Sequence, residues 1–469
     1  MANAHDATAP DTGTIAGRLD RLPITRTHRR ATVAVGLGLF FDFYEVFLTG
    51  VLSSVLVEEF DLTKAELPPL LASTFIGMFF GALLLGRLAD RFGRRGAFLV
   101  NLGLYSLFSL LGAFSGSALM LLVTRFFAGI GLGAEPPLAD TYLTDLLPAR
   151  KRGRFIAWAY TLAFCGFPVV GFLARGLTDH PVLGIAGWRW LFVLGALGAG
   201  AVFLLRRGLP ESPRWLESVG RTAEAEHLVA GLEAEARGVT RETPAPPRGT
   251  TRKRAAAPVR ELFGPALRRR TWMMVVFHIL QTLGYYGFGT LVPLVLAAKG
   301  YPVSQSLLFA ALTYIGYPVG SALSLPIVER VERKFLVIGS VLAMAVFGIA
   351  FGYADSMALI LVFGFLYTAT SNLFSNAYHI YQAEIFPTTL RSTASSGTYS
   401  LSRLASGAMP FVLVPLLNSN GATTLFLVVA GALVVVALDV ALLGPRTTGR
   451  RLESVNDDVT TAAARQPLR

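Results

Sequence analysis

The stretch GRLADRFGRR, residues 86–95, lies between two long apolar segments of the chain. It contains an acidic-basic pair, Asp90 and Arg91, and two glycines, Gly86 and Gly93. A short, positively charged loop between two apolar segments is typical of the side of a membrane that retains Lys and Arg residues. The stretch therefore predicts a loop that connects two membrane-spanning helices.

Apolar segments of membrane-spanning length cover most of the remaining chain. The 469 residues are 53% hydrophobic and 15% charged, and the mean hydropathy is +0.54. A soluble domain has about 25% charged residues, and a bilayer core needs about 20 apolar residues per helix. We predict spans at 31–57, 67–89, 96–115, 118–142, 154–176 and 187–206, then at 271–297, 304–328, 335–354, 357–383, 393–417 and 421–444.

Two loop motifs of the first half recur in the second half. Each residue of the second copy lies 239 positions after its counterpart. Two motifs at one offset indicate a duplicated unit, so we predict an all-α membrane protein with twelve transmembrane helices in two pseudo-symmetric six-helix bundles. The paired residues are Asp90 and Glu329, Arg91 and Arg330, Arg94 and Arg333, Asp145 and Glu384, and Arg152 and Arg391.

The loops also predict the domains and the orientation. Lys and Arg concentrate on one side of the predicted spans, which places both termini in the cytoplasm. An excess of Arg over Lys favours a bacterial chain, hence a multi-pass protein of the bacterial cytoplasmic (inner) membrane. The predicted domains are a cytoplasmic tail (1–30), an N-terminal bundle (31–207), a cytoplasmic linker (208–270), a C-terminal bundle (271–445) and a cytoplasmic tail (446–469).

Composition and motifs exclude several functions. The net charge of +12 sits in short clusters between apolar runs, so it does not indicate nucleic-acid binding. The single cysteine, Cys165, lies inside an apolar run, which argues against a disulfide framework or a cysteine metal site. The sequence has no metal-ligand spacing, nucleophile elbow or phosphate-binding loop. We therefore expect that the protein is not an enzyme and has no cofactor. We expect a monomer whose partners are a small-molecule substrate, protons and the lipid bilayer.

Three stretches carry a family resemblance. Residues 86–95 resemble the G-x-x-x-D-R-x-G-R-R signature of the major facilitator superfamily. Residues 125–154 and the stretch PESPRWL at 210–216 resemble sugar porters and related proton-coupled metabolite symporters. This resemblance implies a secondary active transporter whose two halves rock about a central site.

The same resemblance implies a charged gate on the cytoplasmic side. We expect Asp90 to accept hydrogen bonds from helix N-termini or from arginines of the other half and so to hold that side closed. The alternative is a positive cluster with no switching role. The expected gating residues are Gly86, Asp90, Arg91, Gly93, Arg94, Asp145, Arg152, Glu211, Arg214, Glu329, Arg330, Glu384 and Arg391.

Two carboxyls in the first span are candidates for proton coupling. Asp42 and Glu45 lie three residues apart and share one face of a helix, and ionisable groups inside a span are costly and functional. The pattern resembles the D-x-x-D of proton-coupled organic-ion and phosphate symporters. That resemblance implies that Arg125 in the fourth span pairs with a carboxyl of the first and is released on protonation. A fixed structural ion pair is the alternative.

Arg403 is the candidate for recognising the substrate. It lies in the middle of the eleventh span, twelve residues after Arg391. This spacing resembles that of organic anion transporters, which implies an arginine that faces the cavity and receives the substrate carboxylate. Guanidinium and carboxylate match in bidentate geometry. The alternative is an arginine satisfied by backbone carbonyls or by an acid of another helix.

Further binding candidates come from rings and amides in the second half, because Tyr can stack on a flat ligand while its hydroxyl forms hydrogen bonds. For each residue, interhelical packing is the alternative. For Glu135 in the fourth span, pore-lining and helix-stabilising roles both stay open. The remaining candidates are Gln281, Tyr285 and Tyr286 in the seventh span, Tyr314 in the eighth, and Asn372, Asn376 and Tyr378 in the tenth.

These features favour a proton-coupled importer of a small organic anion, an aromatic or heteroaromatic carboxylate, that works by rocker-switch alternating access. One alternative is a sugar or polyol-proton symporter, which the signature at 210–216 supports. Proton-driven drug efflux is a second, although Arg403 disfavours cationic cargo. A non-transporting membrane sensor is a third, and the intact copies of both loop motifs argue against it.

Overall fold

The computed structural model describes residues 14–179, 181–238, 259–328, 330–386 and 388–447, apart from the side chains at 86, 87, 90, 383, 388, 389, 391–393, 395 and 396. The gating expectations for Gly86, Asp90, Glu329 and Arg391 therefore lie outside the described residues.

The described chain is built from long apolar helices. Eleven helical segments are long and apolar enough to cross a membrane. The last segment joins two helices at Gly421, where φ is 79° and ψ is 177°, a conformation that glycine adopts without strain. Counted with this break, the described ranges contain twelve membrane helices. They are α1 Arg26–Val51, α2 Leu67–Phe92, α3 Arg94–Ala113, α4 Ala118–Leu146, α5 Ala149–Leu177, α6 Gly187–Arg207, α7 Arg268–Ala298, α8 Val303–Val328, α9 Arg333–Tyr353, α10 Met357–Ile385, and α11 and α12 on either side of Gly421 within Thr388–Leu443.

The predicted fold class is confirmed, and every predicted span coincides with one of these helices. Boundaries differ by a few residues. For example, α1 begins at Arg26 rather than at 31 and is followed by the short helix Ser53–Phe60. The predicted domain boundaries stay a prediction.

Two helices that face each other across the bundles are both interrupted near their middle. The break in α5 follows Cys165 and the break in α8 follows Ile315, and in each case a glycine and then a proline come next. Proline removes a helix hydrogen bond and bends the helix. The rings of Phe167 and Tyr317 stack at these breaks with their centroids 4.3 Å apart.

The internal repeat is visible as an ion pair in both halves. Arg94 on α3 lies 3.9 Å from the Asp145 carboxylate on α4, and Arg333 on α9 lies 3.3 Å from Glu384 on α10. These two pairs are separated by the offset found in the sequence, so both bundles use the same loop-to-helix contact.

The two bundles are in tight contact on the face opposite Thr14 and Thr447, the first and last described residues. A Cβ atom placed at Gly50 of α1 would lie 2.8 Å from the Cα of Thr290 on α7, and one at Gly171 of α5 would lie 2.8 Å from the Cα of Ala311 on α8. Such distances leave no room for a side chain, since small residues are what allow membrane helices to approach closely. This face is therefore closed.

Gly171→Val is expected to disfavour this closed face, because its methyl groups would clash with Ala311. A shift away from this closed face should narrow the opposite, open side. We therefore expect slower labelling of a cysteine placed at Thr144, which lines that open side. The reagent is a membrane-impermeant maleimide, and the background is Cys165→Ser. Gly176→Val is the matched control, since nothing lies within 4 Å of a Cβ atom there. Equal labelling rates in the two variants would contradict the prediction.

A short helix outside the membrane ties the N-terminal segment to the linker. Arg18 on the helix Ile15–Arg21 pairs with Glu233 at 2.7 Å and with Glu226, both on the linker helix Thr222–Arg237. The hydrogen bond from Arg18 lowers the pKa of the Glu233 carboxyl below its usual value. Asp20 accepts from Arg214 at 2.8 Å. The predicted N-terminal tail thus contains a docked helix.

Candidate functional site

A cavity of about 940 Å³ enters between the two bundles from the face on which Thr14 and Thr447, the first and last described residues, lie. Near its mouth it is bordered by Thr144, Arg154, Arg333 and Thr447, and it extends to the middle of the helices. Both bundles contribute to the inner wall. The polar and aromatic residues of that wall include Asp42, Asp140, Tyr160, Tyr285, Tyr286, Asn376, Tyr378, Tyr399 and Arg403.

Arg403 supplies a positive charge to this cavity. Its side chain is buried, and its guanidinium carbon lies 4.2 Å from the ring centroid of Tyr286 and 4.7 Å from that of Tyr399. Its Nη2 donates to the Tyr286 hydroxyl at 2.5 Å. Among the described residues no carboxylate lies within ion-pair distance of Arg403. Aromatic faces stabilise the cation, but its charge is not neutralised.

Asp42 supplies a negative charge to the same cavity. Only 3% of the residue is exposed, and within the described part of the chain neither carboxylate oxygen has a hydrogen-bond partner. The Tyr105 hydroxyl interacts with the carboxylate electrostatically, but the pair does not reach hydrogen-bond geometry. A buried carboxylate without partners is costly, which makes Asp42 a candidate for binding a proton.

Glu45 lies in a different environment from Asp42, although the two residues are only three positions apart. Its carboxylate accepts from Arg125 Nη1 at 2.8 Å, and both side chains are fully buried. Ser109 donates to the second oxygen at 2.5 Å, and the Arg125 guanidinium packs over Phe192 at 4.7 Å. The expected partnership of Arg125 with a carboxyl of the first helix therefore involves Glu45. Its role in proton coupling stays a prediction.

A second buried ion pair joins α4 and α6. Arg206 pairs with Glu135 and also donates to the Ala34 carbonyl at 3.2 Å and the Val35 carbonyl at 3.1 Å. Asn101 donates to the other Glu135 oxygen at 3.3 Å. The Glu135 carboxylate is thus occupied inside the N-terminal bundle and does not border the cavity, and its role in substrate binding stays a prediction.

Removal of one member of this pair is expected to destabilise the protein. Arg206→Met leaves Glu135 buried without its counter-ion, which costs about 3–5 kcal/mol, whereas Arg207→Met changes an exposed neighbour. We expect a lower thermal unfolding temperature in detergent for Arg206→Met only, partly restored by Arg206→Met with Glu135→Gln. Equal unfolding temperatures for Arg206→Met and Arg207→Met would contradict this.

The structure brings some of the predicted binding residues to the cavity and leaves others in helix packing. Tyr285, Tyr286, Asn376 and Tyr378 line the cavity wall. Asn376 donates to Ser324 at 2.6 Å, which fixes the amide at the cavity edge.

Three predicted residues do not border this cavity, and their role in substrate binding stays a prediction. The Tyr314 hydroxyl donates to the Gly289 carbonyl at 2.6 Å, and Asn372 donates to the Tyr317 carbonyl at 2.7 Å while accepting from Tyr285. Gln281 is buried on α7. Helix packing satisfies the side chains of Tyr314 and Asn372, whereas Nε2 of the buried Gln281 has no hydrogen-bond partner among the described residues.

Two cavity tyrosines were missed by the sequence analysis. Tyr160 on α5 and Tyr399 on α11 both border the cavity. For Tyr399 a signal existed, because it lies one helical turn before Arg403 and a ring at that spacing can stack on the guanidinium. For Tyr160 the sequence carried no such signal.

An acid of the linker, Glu211, lies at the N-terminus of α3, the helix that begins in the loop motif. Its carboxylate accepts from the backbone amides of Arg94 at 2.9 Å and Arg95 at 3.2 Å. Gly93 precedes these amides with a φ of 95°, which glycine tolerates. Negative charge is favourable at a helix N-terminus, so Glu211 anchors the linker to α3.

Several of the remaining gating candidates form ion pairs within the N-terminal half of the molecule. Asp145 accepts from Ser212 at 2.9 Å and lies near Arg94, whereas Arg152 and Arg214 both pair with Asp20. Arg91 lies over the neighbouring Phe92 ring at 5.4 Å, and Arg330 is exposed. Among the ion pairs of the described chain, none joins the two bundles at this face. The face is accordingly open.

The duplicated bundles and the cavity between them, closed on one face and open on the other, define a membrane transporter. Residues 31–459 match the family described as "Sugar (and other) transporter", and the chain belongs to this family. It is a multi-pass secondary transporter of the major facilitator superfamily, and it is not an enzyme.

Individual relatives are similar along nearly the whole chain. The niacin transporter NiaP of Acinetobacter baylyi is 31% identical over 442 residues, which cover 94% of this chain and 99% of that protein. The inner membrane metabolite transport protein YdjE of Escherichia coli is 28% identical over 458 residues, covering 94% and 98%. A partially occluded inward-open structure of the xylose transporter XylE from E. coli has a TM-score of 0.74 at 19% identity, covering 90% and 99%, and so shares the fold.

Proposed function

We propose that this transporter imports a small aromatic or heteroaromatic carboxylate together with protons, by rocker-switch alternating access. The observation that carries the proposal is Arg403, a buried cation on the cavity wall that no described carboxylate neutralises. An uncompensated charge inside a membrane protein is costly. A substrate carboxylate that enters the cavity would supply the missing counter-ion in bidentate geometry.

The rings around Arg403 support the proposal that the substrate is aromatic. Tyr286 and Tyr399 flank the guanidinium, and Tyr285 packs on Tyr286 at 5.0 Å between ring centroids. Flat ligands stack favourably on such rings. The similarity to a niacin transporter supports the same substrate class, because niacin is a heteroaromatic carboxylic acid.

Proton coupling is assigned to Asp42 in this proposal. Glu45 already has Arg125 and Ser109 as partners, whereas Asp42 has no hydrogen-bond partner among the described residues and borders the cavity. Protonation of Asp42 removes its desolvation cost and lets the N-terminal bundle change its packing against the C-terminal one. The expectation that Arg125 is released belongs to a later step, when Glu45 is protonated.

The orientation follows from the charges of the loops. We propose that the open face is cytoplasmic, with both termini on that side of a bacterial inner membrane, because the loops of this face carry the Lys and Arg residues. The structure then represents an inward-facing state of a monomer. The bundles 31–207 and 271–445 are proposed as the moving units, and the described gating clusters hold each bundle together while it moves.

Uptake by proteoliposomes tests this function. Labelled nicotinate should accumulate when the outside is acidic and should stop accumulating when a protonophore removes the pH gradient. Nicotinamide, which has the same ring without the carboxylate, is the matched control and should not compete. Competition by xylose or arabinose but not by carboxylates would contradict the proposal and favour the sugar-proton alternative.

A further inference from the structure

The cavity contains a second acidic group that the proposed transport cycle does not use. Asp140 on α4 is half-buried and borders the cavity on the side of the N-terminal bundle. Its described neighbours include the Tyr160 hydroxyl, which interacts with the carboxylate. Among the described residues no Lys or Arg lies within ion-pair distance of Asp140. The carboxylate therefore lacks a cationic partner.

Asp140 and Arg403 lie on opposite walls of one aromatic chamber. Tyr378 on α10 and Tyr399 on α11 each interact electrostatically with both Asp140 and Arg403, and both rings border the cavity. The cavity wall thus has an acidic group on the N-terminal bundle and a basic group on the C-terminal bundle, together with these two tyrosines. Asp140 lies nearer the open mouth, since α4 ends at Leu146 on that face.

We propose that Asp140 is a specificity-determining residue that receives a cationic or hydrogen-bond-donating nitrogen of the substrate. The inference rests on the proposed function and narrows its substrate class to amphoteric aromatic acids, with a carboxylate at Arg403 and a nitrogen group at Asp140. A simple aromatic carboxylate would neutralise Arg403 but leave Asp140 against the unsubstituted edge of its ring. A desolvated carboxylate without a partner is penalised, so the site discriminates in favour of the amphoteric ligand.

Two probes that differ only in an aminomethyl group test the role of Asp140. Binding of benzoate and of 3-(aminomethyl)benzoate to the purified full-length protein is measured by titration calorimetry at neutral pH. We expect the ammonium compound to bind at least about 10-fold tighter, the usual effect of one charge-assisted hydrogen bond. Asp140→Asn should abolish that ratio, by weakening the binding of the ammonium compound and by strengthening that of benzoate, because the penalty on the desolvated carboxylate is removed. The matched control is Asp439→Asn, which removes a carboxylate of α12 that does not border the cavity.

The outcomes separate this inference from the proposed function. Equal affinities for the two probes in the wild type, or a ratio that survives Asp140→Asn, overturn the role of Asp140. In a second outcome, the two probes bind the wild type alike while Arg403→Gln loses its affinity for benzoate. That result overturns the inference and leaves the proposed function in place. Alternatively, the affinity ratio of the two probes depends on Asp140, but Arg403→Gln does not change carboxylate binding. That result supports the role of Asp140 and overturns the proposed function.

Discussion

Arg403→Gln is expected to weaken the binding of an aromatic carboxylate about 100-fold, since it removes two charge-assisted hydrogen bonds worth about 3 kcal/mol together. Glutamine can still donate one hydrogen bond to the substrate and to the Tyr286 hydroxyl, but it has neither the positive charge nor the second donor. The measurement is the dissociation constant for nicotinate, by titration of the purified protein. Nicotinamide should bind neither the wild type nor the variant measurably, because it has no carboxylate for Arg403 to receive.

Arg403→Lys separates charge from geometry. Lysine keeps the positive charge, but it is a point charge without the planar fork of arginine. Its weakening of nicotinate binding should therefore lie between wild type and Arg403→Gln. The thermal unfolding temperature serves as the folding control, and removal of an unneutralised buried cation is expected to leave it unchanged or higher. Wild-type nicotinate affinity in Arg403→Gln would show that the guanidinium does not bind the substrate.

The position of Arg403 in the cavity could be anticipated, whereas the partner of Arg206 could not. Arg403 lies in the middle of an apolar helix, where an arginine is too costly unless it faces an aqueous or polar space. Arg206 lies at the end of α6, where a long side chain usually extends to the membrane surface. In the structure it turns inward to Glu135 instead, because an unpaired carboxylate at that depth would be costly.

The different environments of Asp42 and Glu45 show what periodicity leaves undecided. Residues three apart differ by about 60° around a helix, so both side chains share a broad face of α1. In the structure this angle suffices to direct Glu45 to Arg125 inside the bundle and Asp42 to the cavity. The sequence pattern identified the pair but could not assign the two side chains to two surroundings, since both surroundings are buried.

The same limit explains why some polar residues of the second half that were expected to line the cavity do not border it. Tyr285 and Tyr314 are both buried tyrosines of apolar helices, yet only Tyr285 borders the cavity. Each helix of a six-helix bundle is buried on the side of its neighbours as well as on the side of the cavity. Hydropathy separates lipid-facing from buried positions, but the choice between two buried faces depends on the crossing of neighbouring helices, which a single sequence does not state.

Asp42→Asn is expected to abolish uphill transport while leaving exchange intact. With one proton per substrate anion, a pH difference of one unit sustains about tenfold accumulation, because one unit corresponds to 1.36 kcal/mol. Asparagine resembles the protonated carboxyl in shape and polarity but cannot release a proton. The variant should therefore equilibrate labelled nicotinate across proteoliposome membranes, with an accumulation ratio near unity at any imposed pH gradient, and counterflow against unlabelled nicotinate should continue.

Glu45→Gln is the comparison that assigns the proton to one of the two carboxyls. Glu45 is the buried counter-ion of Arg125, so Glu45→Gln leaves a buried cation uncompensated and should cost about 3–5 kcal/mol of stability. Asp42→Asn removes a carboxylate that has no hydrogen-bond partner among the described residues. This variant should therefore not lower the unfolding temperature. If Asp42→Asn still concentrates nicotinate up a pH gradient and Glu45→Gln, in a folded protein, does not, then the proton is bound at Glu45. In that case the ion pair with Arg125 is the element that opens during transport, and the unpaired carboxylate at Asp42 serves the electrostatics of the cavity instead.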